Sequence, residues 1–149
     1  MVLDAFKVYL PISHSSYLSD IHWSYFQNGY GPVEFDKSNG EDDYNDGHTL
    51  TLNGVTYAKG SGVHAYSKVK YDLNGKYSRF QSYIGLDDEV GSGSVEFKVY
   101  GDGVLLYSSG SMGAGSQTKF VDVDVRDVGL LVLVVEDLGG NGRTVKAGL

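Results

Sequence analysis

The sequence predicts an all-β fold, a two-sheet antiparallel β-sandwich with a jelly-roll-like strand order, on three observations. The first is turn chemistry. Asn53-Gly54, Asn74-Gly75 and Asp102-Gly103 each separate two strand-like runs. Such pairs tolerate the positive φ that both central residues of a type I′ hairpin turn require. The second is alternation. Val95, Phe97 and Val99 alternate with Glu96 and Lys98, Val121, Val123 and Val125 with Asp122 and Asp124, and Val69, Tyr71 and Leu73 with Lys68, Lys70 and Asp72. A period of two marks strands with one buried and one wet face. The third is that no window of helical length holds a helical apolar period.

In chain order, Ser19–Phe26 predicts one or two helical turns at most. Residues 28–48 form the longest polar loop, of a length uncommon in compact domains and often functional. Thr49–Leu52 and Val55–Ala58 predict a hairpin about Asn53-Gly54, and Lys68–Leu73 and Lys76–Phe80 a second about Asn74-Gly75. Gly85–Gly93 is a loop dense in acids and glycine. Ser94–Tyr100 and Val104–Tyr107 predict the third hairpin. Ser108–Ser116, almost pure Ser, Gly and Ala, reads as a mobile connection, and Leu130–Val135 as a central strand buried on both faces. At least seven strands with sharp turns suit two packed sheets.

A chain of 149 residues is one domain with a real core. Residues 1–16 are an N-terminal extension or first strand, and residues 17–149 the β-sandwich module. The 21 glycines against two prolines fit turn-rich β structure. A net charge of −7 works against nucleic-acid and anionic-membrane partners but not against neutral ligands. There is no cysteine, hence no disulfide or thiolate chemistry. Met1–Lys7 lacks a basic region leading into a long apolar stretch, so no signal peptide is expected in this sequence. Leu130–Val135, the longest apolar run, is too short to span a bilayer.

Enzymatic chemistries find little support. Gly60-Ser61-Gly62-Val63-His64-Ala65 has dinucleotide-fingerprint spacing, but that motif needs a helix N-terminus and the alternating Ser67–Leu73 follows instead. No Gly-x-Ser-x-Gly occurs, and His14, His22, His48 and His64 lack His-Glu-x-x-His spacing. Asp42, Asp43, Asp46, Asp87, Asp88 and Glu89 read as solvated acidic loops, or as calcium ligands drawn chiefly from Asp42, Asp43 and Asp88, since hard cations take carboxylate and carbonyl oxygens. Twelve tyrosines and the cluster Trp23, Tyr25, Phe26 and Tyr30 read as packing, or as a platform for a sugar. A pyranose packs its C–H face on a ring while its hydroxyls need donors and acceptors. His64 reads as a satisfied structural histidine or as a neutral imidazole bonding a ligand hydroxyl.

Tyr17–Ile21, Asn28–Glu34 with Asp36 and Ser38–Gly40, Leu50–Gly60, Gly62–Ala65, Phe80, Gly85–Gly91 and Val99–Gly103 together resemble the novel carbohydrate-binding module family grouped with the family 51 carbohydrate-binding modules. The resemblance covers about Tyr17 to Asp137. It implies a galactose-binding-like β-sandwich, a non-catalytic, extracellular module of a larger bacterial protein. It also implies binding of glycans with terminal galactose-type sugars, a parent glycoside hydrolase and, in some members, calcium. The site it suggests has Trp23 or Tyr30 packing on the sugar ring, with Lys59, His64 and Asp87 taking the hydroxyls. Tyr30 stands where family members usually have Trp. The family's usual Asp-His-Ala-Asp-Trp-Ala-like last strand is missing, so the module is either cut short or Arg143–Leu149 replaces that strand. The alternative reading is a calcium-stabilised structural or adhesion module without a sugar site.

Overall fold

The computed structural model describes residues 7–9, 15–40, 42–88, 90–139 and 146–148. Fourteen strands among them form two packed antiparallel sheets and a separate hairpin, the predicted sandwich. One sheet runs β2 (Ser15–Tyr17), β1 (Lys7–Tyr9), β9 (Arg79–Leu86), β14 (Lys146–Gly148), β7 (Ser61–His64), β4 (Glu34–Phe35), with β12 (Lys119–Asp124) paired to β9 as well. The other runs β11 (Val104–Gly113), β10 (Ser94–Gly101), β13 (Leu130–Asp137), β8 (Ser67–Asp72), β3 (Tyr25–Gln27). β5 (Leu50–Leu52) and β6 (Val55–Tyr57) pair with each other. Lys146–Gly148 lies between β7 and β9, so the chain's own atypical terminus supplies a strand there.

Alternation places the core. Val95, Phe97 and Val99 of β10, Val69 and Tyr71 of β8, and Leu131, Leu133 and Val135 of β13 are buried against Phe80, Ile84 and Val121 of the facing sheet. β13 is central, as expected, but among the described residues no third layer covers it. Its outward Val134 is sheltered by long side chains on neighbouring strands, among them Lys68, Lys70 and Tyr100. Lysine and tyrosine stems cover apolar surface in this way while their polar ends stay wet.

The three turns have the predicted backbone, with positive φ at Asn53 and Gly54, Asn74 and Gly75, and Asp102 and Gly103. Two of them close hairpins, β5–β6 and β10–β11. The third does not. Lys76 N–H donates to Leu73 O at 3.1 Å as a tight turn should, yet β8 pairs with β13 and β3, whereas β9 pairs with β1, β12 and β14. Asn74-Gly75 therefore carries the chain from one sheet to the other. Its amides donate to Gly129 O and Val128 O instead of to a hairpin partner, so long-range pairing overrides the local signal.

Two further expectations are corrected. Ser19–Phe26 is no helix beyond the 3-10 turn Leu18–Asp20, and Tyr25–Gln27 joins the sheet edge. Ser108–Ser116 is no mobile connection, because β11 continues to Gly113 along β10. The register shifts between Glu96 and Lys98, and the Phe97 N–H left over there donates to the Ser109 hydroxyl at 2.9 Å. A small hydroxyl side chain is what lets the strand continue through the bulge.

Candidate functional site

Residues 28–40 fold back on β7 as a knot of side-chain-to-backbone bonds. Asn28 Oδ1 accepts from His64 N–H at 2.7 Å. Its amide nitrogen donates to the carbonyls of Tyr30, Gly31 and Pro32 at 2.8, 3.0 and 3.1 Å. Gly29 N–H donates to His64 O at 2.8 Å. A β-carbon on Gly29 would stand 2.2 Å from Ala65 O, so only glycine permits this approach. Fully buried Asn39 adds a second amide donor to Pro32 O at 2.8 Å.

The knot displays Tyr30. Its ring is 53% exposed and lies 6.0 Å from the His64 ring, tilted by 52°. Tyr30 and His64 are thus brought together as expected, with different parts. His64 is 0% exposed, and its Nδ1 is 3.1 Å from Ala65 O, a carbonyl that can only accept. The imidazole lies buried beside Tyr30.

The other predicted site residues are drawn into the scaffold. Lys59 bridges two loops, paired with Asp20 and with Asp36 Oδ2, the latter at 2.7 Å. Partial burial pushes its ammonium toward neutrality, but the two carboxylates outweigh that and hold its pKa above the ordinary lysine value. Asp36, in the left-handed region at φ 62°, also accepts from Gly60 N–H at 3.0 Å. Lys59 is a brace, not a free arm. Trp23 stacks on Phe35 at 4.7 Å and on His22 at 5.3 Å, so its ring serves internal packing. Asp87 is 2% exposed, with Oδ2 accepting from Thr51 N–H at 3.0 Å. It is a clamp on the β5–β6 hairpin.

The suggested calcium ligands are not gathered. Asp88 accepts from the amides of Asn53 and Gly54, both at 2.8 Å, capping the hairpin turn. The amides of Asp42 and Asp43 donate to Asp46 Oδ2 at 3.1 and 2.8 Å. Among the described residues, no three His, Cys, Asp or Glu side chains converge so as to hold a metal. Glu89 lies outside the described residues.

Sequence reasoning passed over Asn28, Asn39 and Glu34. Asn28-Gly29 and Asn39-Gly40 were the available signal: two Asn-Gly pairs in the long loop without flanking strand alternation. Glu34 is buried, with Oε1 accepting from Asn45 N–H at 2.6 Å. Burial raises its carboxyl above the usual range, and nearby Asp46 adds to this; the Asn45 and Asp46 amides and Lys37 oppose it. An acid whose folded pKa is raised binds its proton more tightly when folded, so stability falls as pH rises from the ordinary carboxylate range through the folded value. Glu34→Gln keeps an acceptor for Asn45 and removes that dependence. In urea titrations the variant should gain on wild type as pH rises above the ordinary carboxylate range; parallel pH curves would contradict this placement.

An antiparallel sandwich that braces a loop to hold an aromatic ring half in solvent is a frame able to present a flat apolar face to a ligand. The chain belongs to the NPCBM/NEW2 domain family, whose model matches residues 14–147. It superposes on a CBM51 domain from Clostridium perfringens GH95, solved in complex with methyl-galactose, with a TM-score of 0.79 and 34% identity, covering 91% of this chain and 96% of that one. The CBM51-2 and INT domains of Clostridium perfringens ZmpB, solved with GlcNAc, give a TM-score of 0.75 and 29% identity over 95% of this chain and 34% of that one. A Renibacterium salmoninarum protein named for an endo-alpha-N-acetylgalactosaminidase activity is 39% identical over 133 residues, 88% of this chain. An Akkermansia muciniphila protein named alpha-1,3-galactosidase B is 35% identical over 97 residues, 62% of this chain. The chain spans only 9% and 12% of the lengths of these two curated relatives.

Proposed function

We propose that this module holds the terminal galactose-type residue of a glycan on the Tyr30 ring without catalysing any reaction, and that it targets an attached, extracellular glycoside hydrolase. The half-exposed Tyr30, seated on buried His64 by a loop that Asn28 and Asn39 lock, is the observation that carries this reading. A fixed ring loses little entropy when a pyranose face settles on it, and aromatic faces suit such C–H surfaces. The relative solved with methyl-galactose supports the choice of sugar. The small share of each glycosidase-named relative that the chain covers supports a parent enzyme.

One ring and a few polar groups suit a dissociation constant of roughly 10 μM to 1 mM, with avidity from the parent protein raising effective binding. Calorimetric titration with methyl galactoside, glucose and N-acetylglucosamine, each with and without calcium, tests the reading. Tyr30→Ala should weaken galactoside binding at least tenfold with an unchanged unfolding midpoint. Unchanged heats in that variant would remove Tyr30 from the site, and silence from every sugar would defeat the function itself. Heat from calcium alone, with no sugar response, would instead favour a structural or adhesion module.

A further inference from the structure

A second aromatic surface lies on the outer face of the other sheet edge. Phe120 of β12 stands directly across from Tyr83 of β9, with ring centroids 5.0 Å apart. Tyr57 of β6 stacks on Tyr83 at 6.0 Å and 29°. The three rings floor an open cleft of about 580 Å³ whose walls are the Asn53–Val55 turn and residues 115–118. Phe120 is 49% exposed and Tyr83 37%, so these two rings are open to a ligand, while Tyr57, 9% exposed, backs Tyr83.

The walls are fixed rather than loose. Asn53 Oδ1 accepts from both the amide and the hydroxyl of Thr118 at 2.7 Å, and its amide nitrogen donates to Ser116 O at 3.2 Å. Asp88 holds the Asn53 and Gly54 amides from the other side. Although 21% of the chain is charged, among the described residues none lining this cleft is an acid, a lysine, an arginine or a histidine. A charged ligand would find no counter-charge there. Gln117, exposed on the wall, offers both an amide donor and an acceptor. Two open rings tilted 49° to each other, a rigid frame, an amide at the rim and no charge together match neutral pyranoses, each with an apolar face and hydroxyl edges.

We propose that this cleft is a second saccharide site, which takes neutral sugar units along Tyr83 and Phe120. It stands apart from the Tyr30 site and does not depend on that assignment. The test is amide-resolved NMR on the whole chain, titrated separately with linear hexasaccharides of β-linked galactose, glucose and N-acetylglucosamine. At least one of them should shift the amides of Tyr57, Tyr83, Thr118 and Phe120 in a saturable way. Tyr83→Ala and Gln117→Ala should each weaken that response at least fivefold, the latter without disturbing the ring floor, while Tyr30→Ala should leave it intact. Three outcomes overturn the proposal: no shift at those amides from any of the three, equal loss of response in Tyr30→Ala, or shifts that follow protein concentration alone and vanish in Phe120→Ala, which would assign the surface to a second copy of the chain.

Discussion

Asn28→Ala is expected to destabilise the module by about 2–3 kcal/mol and to weaken galactoside binding at Tyr30 as well. The side chain accepts from one backbone donor and shares its two amide hydrogens among three backbone carbonyls. Alanine leaves the His64 N–H without its side-chain acceptor in a strand whose residues are all buried, and an unsatisfied buried group costs about 1–3 kcal/mol. The three carbonyls of the Tyr30 loop are more exposed, so water replaces part of what they lose. Asn39 still donates to Pro32 O, which limits the damage at that residue. Asn28→Asp is the informative companion. It keeps an acceptor for His64 N–H but sets a carboxylate against three carbonyls, so it should rescue little. Urea unfolding of both variants, with methyl galactoside titration alongside, checks the account. A loss below about 0.5 kcal/mol in Asn28→Ala, the ordinary range for surface changes, would mean that the knot does not hold the loop.

Asp87→Ala is expected to lower stability by about 2–4 kcal/mol while leaving galactoside affinity at Tyr30 within twofold of wild type. Asp87 is buried, and its carboxylate bonds Thr51 N–H while Asp88 N–H returns a bond to Thr51 O at 2.9 Å. The bond from Thr51 N–H to the carboxylate is charge-assisted and about twice as strong as a neutral one, and alanine leaves that buried donor stranded, whereas the backbone bond from Asp88 stays. Among the described residues, β5 and β6 pair only with each other, so this clamp is a main tie between the hairpin and the end of β9. Hydrogen exchange at Thr51 and Thr56 should accelerate in the variant, and Asp87→Asn, which retains an oxygen acceptor, should recover part of the loss. Normal stability with abolished galactoside binding would restore Asp87 to the sugar site and overturn the clamp.

These two side chains also measure how far the sequence could be read. The Tyr30 loop was visible as a long polar segment carrying a ring, and His64 was rightly placed near it. The polar partners were not. Asp87, Lys59 and His64 looked like ligand contacts because each type can bond a hydroxyl, and nothing local shows whether that capacity is already used. Lys59 meets Asp20 across 39 positions and Asp88 meets Asn53 across 35. Asn28 and Asn39, which organise the loop, look in sequence like ordinary turn residues.

The sequence by itself determined the alternating strands β8, β10 and β12, their inward faces and the backbone of the three type I′ turns. Each of these follows from φ preferences or a period of two within a few neighbouring residues. Tertiary structure alone decided which strands pair, that Asn74-Gly75 crosses between sheets, and which polar groups are consumed holding loops together and which ring is left facing solvent. Hydrogen-bond partners and burial are properties of distant segments brought into contact, and a one-dimensional pattern does not contain them.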